Sequence, residues 1–211
     1  AAYPITATAN SGYRFDKWVF ESGTGTFDDP DYYSTVVFAA ESVTVKALFR
    51  RGDIYPLTTT AETYNFQKHY FSDKQRGTVM FSWTPADTNH YLLKLDSVKG
   101  TCAYYETDSL LTTVAKTHIL DGGASYIHIQ GTPGKTYYFA VTDSLQNTSR
   151  NKNFVAQVIV PYVLFVESTR GRAVPSGNIY VAPGADTAVY AIPYGGYNFD
   201  SWKVISGSAK I

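Results

Sequence analysis

Apolar and polar residues alternate along most of this chain. In the clearest run, residues 42–49, the side chains of Val43, Val45, Ala47 and Phe49 share one predicted face. A period of two is typical of a β-strand that has one buried face. Six further runs show the same alternation and predict strands: Ser34–Phe38, Gly77–Trp83, Tyr91–Leu95, Ser125–Gln130, Thr136–Thr142 and Asn153–Val160.

Clusters of Gly, Pro, Asp and Ser separate these runs at regular intervals. They lie at residues 22–25, 28–31, 84–87, 121–123, 131–134 and 182–185. Short strands with such punctuation indicate a β-sandwich or barrel. Only residues 109–117 compete as a helix, and their brevity and threonines favour strand and loop. The sequence therefore predicts an all-β chain with almost no helix.

One internal repeat is evident. The motif Gly12-Tyr-Arg-Phe-Asp-Lys-Trp18 returns as Gly196-Tyr-Asn-Phe-Asp-Ser-Trp202, and a Ser-Gly pair follows each tryptophan by four residues. The offset of 184 residues, read from the same sequence, exceeds any solenoid unit. We therefore interpret the two segments as copies of one module with different material between them.

These residues resemble a known family. A Gly- and Pro-rich opening, the Gly-Tyr-x-Phe-x-x-Trp element, a Ser-Gly turn and a closing Val-Thr-Val-x-Ala-x-Phe strand are similar to the divergent internalin-type B repeat. The resemblance covers Ala1–Arg50 and Phe165–Ile211. It implies a small β-module, found in tandem in bacterial cell-surface and secreted proteins, with no catalytic residues to carry over. Lys17 and Ser201 stand where a common variant has Gly before the tryptophan.

The middle of the chain is predicted to be a different unit. Its polar turn and Tyr-Tyr-x-x-Val strand, within residues 131–141, resemble bacterial pre-peptidase C-terminal modules and carbohydrate-binding jelly rolls. We expect three units: residues 1–52 as a B-repeat-like module without its first strand, 53–162 as a central antiparallel, jelly-roll-like β-sandwich, and 163–211 as a second, partial repeat. The central unit, residues 53–162, is long enough to bury one modest hydrophobic core.

Composition narrows the function. The 18 Lys and Arg balance the 18 Asp and Glu, so a nucleic-acid binder is not expected, because such proteins need a cationic surface. Cys102 is the one cysteine, so no internal disulfide can form, and we expect it to act as a small apolar core residue. No apolar run approaches the length of a membrane span. The chain begins in mid-pattern, so we interpret it as part of a longer exported protein.

The tryptophan motif has two interpretations. Strict alternation would place Trp18 and Phe15 on opposite faces of a strand. We favour a bend or bulge that brings the two rings together in a small core. Exposed rings that recognise sugar or protein are the alternative.

Metal and catalytic patterns are weak. Asp28, Asp29 and Asp31 form the densest carboxylate group and a weak calcium candidate, yet they lack EF-hand spacing; otherwise no cofactor is expected. The histidines have no paired metal-binding spacing. No nucleophile elbow, phosphate loop or recognisable carboxylate pair occurs, so we predict no enzyme activity.

Three tyrosine doublets are candidate surface features: residues 32–33, 104–105 and 137–138. Alternation predicts that each doublet exposes one ring. Exposed rings could stack on sugars while a polar neighbour binds the hydroxyl groups, and the candidate ligand-binding residues are Tyr126, His128, Tyr137 and Tyr138. The alternative is that these tyrosines only suit a half-buried sheet surface.

The leading functional hypothesis is a spacer or adhesion segment of a bacterial cell-surface or secreted protein. The alternative is a carbohydrate-binding central module, accessory to a secreted hydrolase. Expected partners are a host or substrate surface glycan or protein, with no nucleic acid and no membrane span. Unpaired strand edges of the incomplete repeats also predict self-association.

Overall fold

A computed structural model describes residues 1–106, 113–144 and 152–211 of the chain. The described residues are almost entirely strands and turns, which confirms the all-β prediction. The single described helix is one 3₁₀ turn at Asp73–Gln75, which the alternation does not predict. The competing segment at residues 109–117 lies partly outside the described residues. Its described end leads into a strand, as predicted.

Two small sheets form the first fifty residues. β1 pairs with β4, which pairs with β3, and β2 pairs with β5, all antiparallel. The strands are β1 (Ala2–Thr6), β2 (Tyr13–Ser22), β3 (Thr26–Phe27), β4 (Ser34–Phe38) and β5 (Thr44–Arg51). The predicted runs at residues 34–38 and 42–49 thus become β4 and β5.

The middle of the chain forms a two-sheet sandwich. One sheet has the order β11-β10-β13-β8-β6 and the other the order β12-β9-β14-β7. Every pair is antiparallel except β6 with β8, so the expected antiparallel sandwich has one parallel edge strand. The strands are β6 (Ile54–Pro56), β7 (Glu62–Asn65), β8 (Thr78–Trp83), β9 (His90–Asp96), β10 (Lys99–Tyr105), β11 (Lys116–Asp121), β12 (Ser125–Gln130), β13 (Tyr137–Asp143) and β14 (Asn153–Ile159).

The core of this sandwich follows from the alternation. On β13, Tyr137, Phe139 and Val141 point inward and are at most 3 % exposed. Phe81 of β8 and Phe154 of β14 complete an aromatic centre with ring centroids 6.1 Å apart. Burying rings and branched side chains from both sheets supplies most of the favourable free energy of such a fold.

The last fifty residues form two separate two-stranded sheets. β15 pairs with β17 and β16 pairs with β18, all antiparallel. The strands are β15 (Tyr162–Val166), β16 (Gly171–Val174), β17 (Gly177–Val181) and β18 (Tyr190–Pro193). The second Gly-Tyr-x-Phe-x-x-Trp motif follows β18.

Candidate functional site: repeat cores and module junctions

A β-bulge organises the core of the first repeat. The register between β2 and β5 shifts between Phe15 and Lys17, where one extra residue enters β2. The shift returns Trp18 to the side of Phe15, and the two ring centroids lie 5.7 Å apart. Trp18 is 8 % exposed, and its indole N–H donates to the carbonyl oxygen of Tyr32 at 3.2 Å. The predicted bend and buried tryptophan are therefore confirmed here.

The second motif has the same local geometry without the same burial. The ring centroids of Phe199 and Trp202 lie 5.9 Å apart at 54°, against 5.7 Å and 54° in the first copy. Each motif begins at a glycine with positive φ, Gly12 and Gly196. Phe199 is 50 % exposed, since the described residues after Pro193 form no strand that could cover it. The Trp202 ring is half-buried, so the second ring pair lacks the buried core of the first.

A charged junction joins the first repeat to the sandwich. Asp53, between β5 and β6, accepts hydrogen bonds from Arg50 at 2.6 Å and from Arg14 at 3.1 Å. The Arg50 guanidinium is the main reason that the pKa of the Asp53 carboxyl is lowered, and Arg14 adds to the effect. The Arg14 side chain is largely buried. This ion pair is therefore less screened by solvent than a surface pair.

The 3₁₀ turn of the sandwich completes the same junction. The Asp73 carboxylate accepts the backbone N–H of Phe15 at 2.7 Å and the hydroxyl of Tyr70 at 3.1 Å. Phe15 is the residue at which the bulge begins, so Asp73 satisfies a donor beside the interrupted ladder. The Arg14 guanidinium stacks 4.0 Å from the Tyr70 ring centroid. One aspartate thus binds the repeat's bulge to the central unit.

A second junction joins the sandwich to the C-terminal strands. The two imidazoles of His90 on β9 and His128 on β12 are hydrogen-bonded, Nδ1 to Nε2, at 2.9 Å. The Tyr180 ring of β17 stacks on both, with centroid distances of 4.1 Å to His90 and 4.3 Å to His128. This group is not among the predicted site residues as a set, although His128 is one of them. Pairing β9 with β12 would have brought the two histidines together, but nothing local to either strand predicts Tyr180.

The four predicted ligand-binding residues do not share one surface. Tyr126 is 41 % exposed and lies with His128 on the outer face of β12, where Tyr180 partly covers the histidine. Tyr137 is 3 % exposed in the core, and its hydroxyl donates to the carbonyl oxygen of Gln130. Tyr138 is half-buried in the other sheet. Alternation explains the separation, because Tyr137 faces inward.

The tyrosine doublets do not show the predicted exposure. Tyr32 and Tyr33 are both exposed, because they lie in a bend between β3 and β4 where inward and outward positions do not alternate. Tyr104 and Tyr105 of β10 are both half-buried. Tyr138 is likewise half-buried beside buried Tyr137, so the prediction that each doublet exposes one ring is wrong for all three pairs.

The aspartate loop serves the turn itself. Asp31 N–H donates to the Asp29 carboxylate at 3.0 Å, and Asp29 N–H donates to the Thr35 hydroxyl at 2.9 Å. The first bond is of the Asx type that stabilises tight turns, and the second joins the loop to Thr35 of β4. Within the described ranges, no group of three or more His, Cys, Asp or Glu side chains is placed to hold a metal ion, and Asp28, Asp29 and Asp31 are no exception.

Cys102 is a core residue, as expected. It is fully buried on β10, and burial raises the pKa of its thiol to about 12. The thiol therefore stays protonated and unreactive near neutral pH. Lys46 forms an ion pair with Glu21 at 3.5 Å on the solvent-exposed face of β5, which matches its predicted polar side.

The two end segments of the chain match a known family. Residues 1–53 and 162–210 match the family model described as the divergent InlB B-repeat domain. These are the segments that carry the Gly-Tyr-x-Phe-x-x-Trp motif, so the B-repeat resemblance is confirmed. Together they make up just under half of the chain.

One solved structure is similar to about half of the chain. A solved structure titled as the pre-peptidase C-terminal domain of a collagenase from Bacillus anthracis aligns over 52 % of this chain and 97 % of that chain, with 12 % identity and a TM-score of 0.38. It is the kind of module that the central strand resembles. Among the curated proteins, none matches this sequence.

The matches define a coarse class. The B repeat is a non-catalytic bacterial repeat module of a kind that is typically extracellular. No helix in the described part of the chain has the length and apolar character required to cross a membrane. The chain is thus similar to bacterial repeat modules, joined here to a β-sandwich.

Proposed function

We propose that this chain is a non-catalytic spacer and adhesion segment of a bacterial cell-surface or secreted protein. Its repeats and its sandwich act as one stiff connector. The observation that carries the proposal is the junction at Asp53 and Asp73, where partly buried hydrogen bonds join Arg14 to Asp53 and the Phe15 backbone N–H to Asp73. Modules joined only by a flexible linker would lack such contacts.

The physical case rests on the type of contact. Surface ion pairs are screened and contribute little, about 0–1 kcal/mol. The Arg14 side chain, in contrast, is 16 % exposed, pairs with Asp53 and lies on the Tyr70 ring. Gly52 also lies against the sandwich, where an added Cβ would meet the carbonyl oxygen of Phe71 at 2.0 Å. Close backbone packing of this kind limits rotation between the two units.

The stiffness can be measured by electron-electron resonance between two spin labels. Cysteines replace Ala40 in the first repeat and Thr132 in the sandwich, both exposed, while buried Cys102 stays unlabelled. We expect one narrow distance distribution in the native background. Asp73→Asn and Arg14→Ala should each broaden it. Lys46→Ala is the matched control, because it removes an ion pair inside the first repeat. A broad distribution in the native background would contradict the proposal.

Adhesion to a surface glycan or protein is the second part of the proposal. Tyr126 supports it as a partly exposed ring on a strand of the sandwich, with the polar Gln130 on the same face. Binding to a glycan array that is lost in Tyr126→Ala and kept in Tyr137→Phe would support this role. Native binding that survives Tyr126→Ala, or no binding to any glycan, would argue against a sugar contact at this ring.

A further inference from the structure

The two histidines of the C-terminal junction form a single flat platform. Their ring planes differ by 18°, their centroids are 5.1 Å apart and their facing nitrogens are 2.9 Å apart. These values describe imidazoles joined end to end by one N–H···N bond. Such a bond needs one donor and one acceptor nitrogen, so it persists with no extra proton or with one. It cannot persist when both rings are cationic.

Tyr180 seats the C-terminal strands on this platform. Its ring lies over both imidazoles at nearly equal distances, and its hydroxyl is 2.9 Å from His90 Nε2. Leu92, opposite His128 in the β9–β12 register, is 3 % exposed although it is not part of the core between the sheets. Its burial shows that this patch of the outer face is covered. The contact therefore belongs to the interface between the sandwich and the C-terminal strands.

The charged residues around the two imidazoles would not stabilise a second proton on the His90–His128 pair. Apart from the histidine itself, β12 has no charged residue, and β14, β15 and β17 have none. On β9 the charged residues are Lys94 and Asp96. Partial burial, the His90 ring and Lys116 of β11 all lower the pKa of the His128 imidazole, in that order of importance. Acid therefore favours the state in which the imidazoles are separated and solvated.

We propose that His90, His128 and Tyr180 form a pH-sensitive contact that releases the C-terminal strands from the sandwich in mildly acidic surroundings. The second proton makes both facing nitrogens donors, which breaks the N–H···N bond and places two cations side by side beneath the tyrosine ring. The direction of the pH effect follows from the number of protons that each state binds. The open state binds more protons than the closed state, so the contact is complete above the ordinary histidine pKa of 6.5 and weakens as the pH falls below it.

The expected size of the effect follows from proton counting. The open state can bind one proton on each imidazole, while the closed pair accepts one proton in all. At pH 5.0 the extra proton favours the open state by roughly thirtyfold relative to pH 7.5. The charged junction at Asp53 responds differently, because the lowered pKa of that carboxyl keeps it ionised at pH 5.0. The two junctions of one chain thus have separate pH ranges.

The test uses two pairs of spin labels in the full chain. Labels at Thr132→Cys and Ser176→Cys report the C-terminal junction, and labels at Ala40→Cys and Thr132→Cys report the charged junction. We expect the first distance distribution to broaden between pH 7.5 and 5.0 and the second to stay narrow. Broadening of neither pair, or of both equally, would overturn the proposal.

Variants separate this mechanism from general acid sensitivity. His128→Gln keeps a hydrogen-bonding side chain but cannot take the second charge, so its junction should stay closed at pH 5.0. Tyr180→Ala should be open at both pH values. The control is His118→Gln, which removes a half-buried strand histidine outside the junction and should respond like the native chain. A His128→Gln chain that still opens at pH 5.0 would refute the role of the pair.

Discussion

Replacing Trp18 by alanine tests whether the first repeat is built around this ring. The side chain is 8 % exposed, contacts the Phe15 ring and donates one hydrogen bond to a backbone carbonyl. A tryptophan buries about 150–250 Å². At about 25 cal/mol per Å² this amounts to about 4–6 kcal/mol. Because the alanine retains part of that burial, truncation of the ring costs about 3–5 kcal/mol, and the lost hydrogen bond adds about 1 kcal/mol. We expect a loss of about 4–6 kcal/mol.

Amide hydrogen exchange is the suitable assay, because a chain of several units has no single unfolding free energy. The amides of β2 and β5 report the first repeat, and those of β8 and β13 serve as an internal reference. A loss of this size lowers protection in β2 and β5 by about a thousandfold or more. The amides of β8 and β13 should change little.

The second tryptophan supplies a matched control. Trp202 has the same motif and the same ring geometry, yet its partner Phe199 is 50 % exposed. Trp202→Ala should therefore cost only about 1–2 kcal/mol in local protection, roughly an exposed aromatic pair plus partial burial. Equal losses in the two variants, or unchanged protection of β2 and β5 in Trp18→Ala, would refute the argument that burial of the Trp18 ring stabilises the first repeat.

Three further predictions concern the junctions and the core. Gly52→Ala should loosen the charged junction, because its Cβ would lie 2.0 Å from the Phe71 carbonyl oxygen; a broadened distance between labels at residues 40 and 132 would show it, and an unchanged distance would contradict it. Acid should weaken the same junction only below the ordinary Asp pKa of 3.8, because the lowered pKa of the Asp53 carboxyl gives stability that is lost as the carboxylate protonates. The distance between labels at residues 40 and 132, followed from pH 6 to 2, should broaden only at the acid end. Cys102 should resist a thiol reagent at pH 8 and react fully in denaturant, because burial raises its pKa to about 12.

Local alternation predicts seven of the eighteen described strands: β4, β5, β8, β9, β12, β13 and β14. The alternating runs at residues 125–130 and 136–142 become β12 and β13 almost unchanged, because one face of each must be buried. The bend at Phe15 was also predictable, since two large rings of a small module need a common core. β6 and β7 were not predicted. Both are short edge strands whose pairing depends on neighbours distant in sequence.

The junctions could not be predicted because they depend on register and on contacts between units. The contact of His90 with His128 follows from the pairing of β9 with β12. The two histidines are 38 residues apart in the sequence, so no local pattern brings them together. Tyr180 lies on β17, in the C-terminal strands, so its contact with the histidines depends on how that unit lies against the sandwich. Asp73 looks like an ordinary loop carboxylate in the sequence. Its role appears only when the 3₁₀ turn lies beside the bulge of β2.

Alternation predicts the positions of the candidate sugar-binding tyrosines only in part. It separates Tyr137 from Tyr138 correctly, with the first in the core and the second half-buried. It cannot say which sheet a strand joins, and the sheet places Tyr138 away from Tyr126. Sugar contact therefore remains a proposal about Tyr126 rather than about all four predicted residues.

The rotational motion of the separate units tests the central claim most directly. Nitrogen-15 relaxation of the full chain at pH 7.5 gives a tumbling time for the amides of β2 and β5 and another for those of β8 and β13. A stiff connector predicts one common time, set by the size of the joined units. A clearly shorter time for β2 and β5, near that of a free module of fifty residues, would contradict the account.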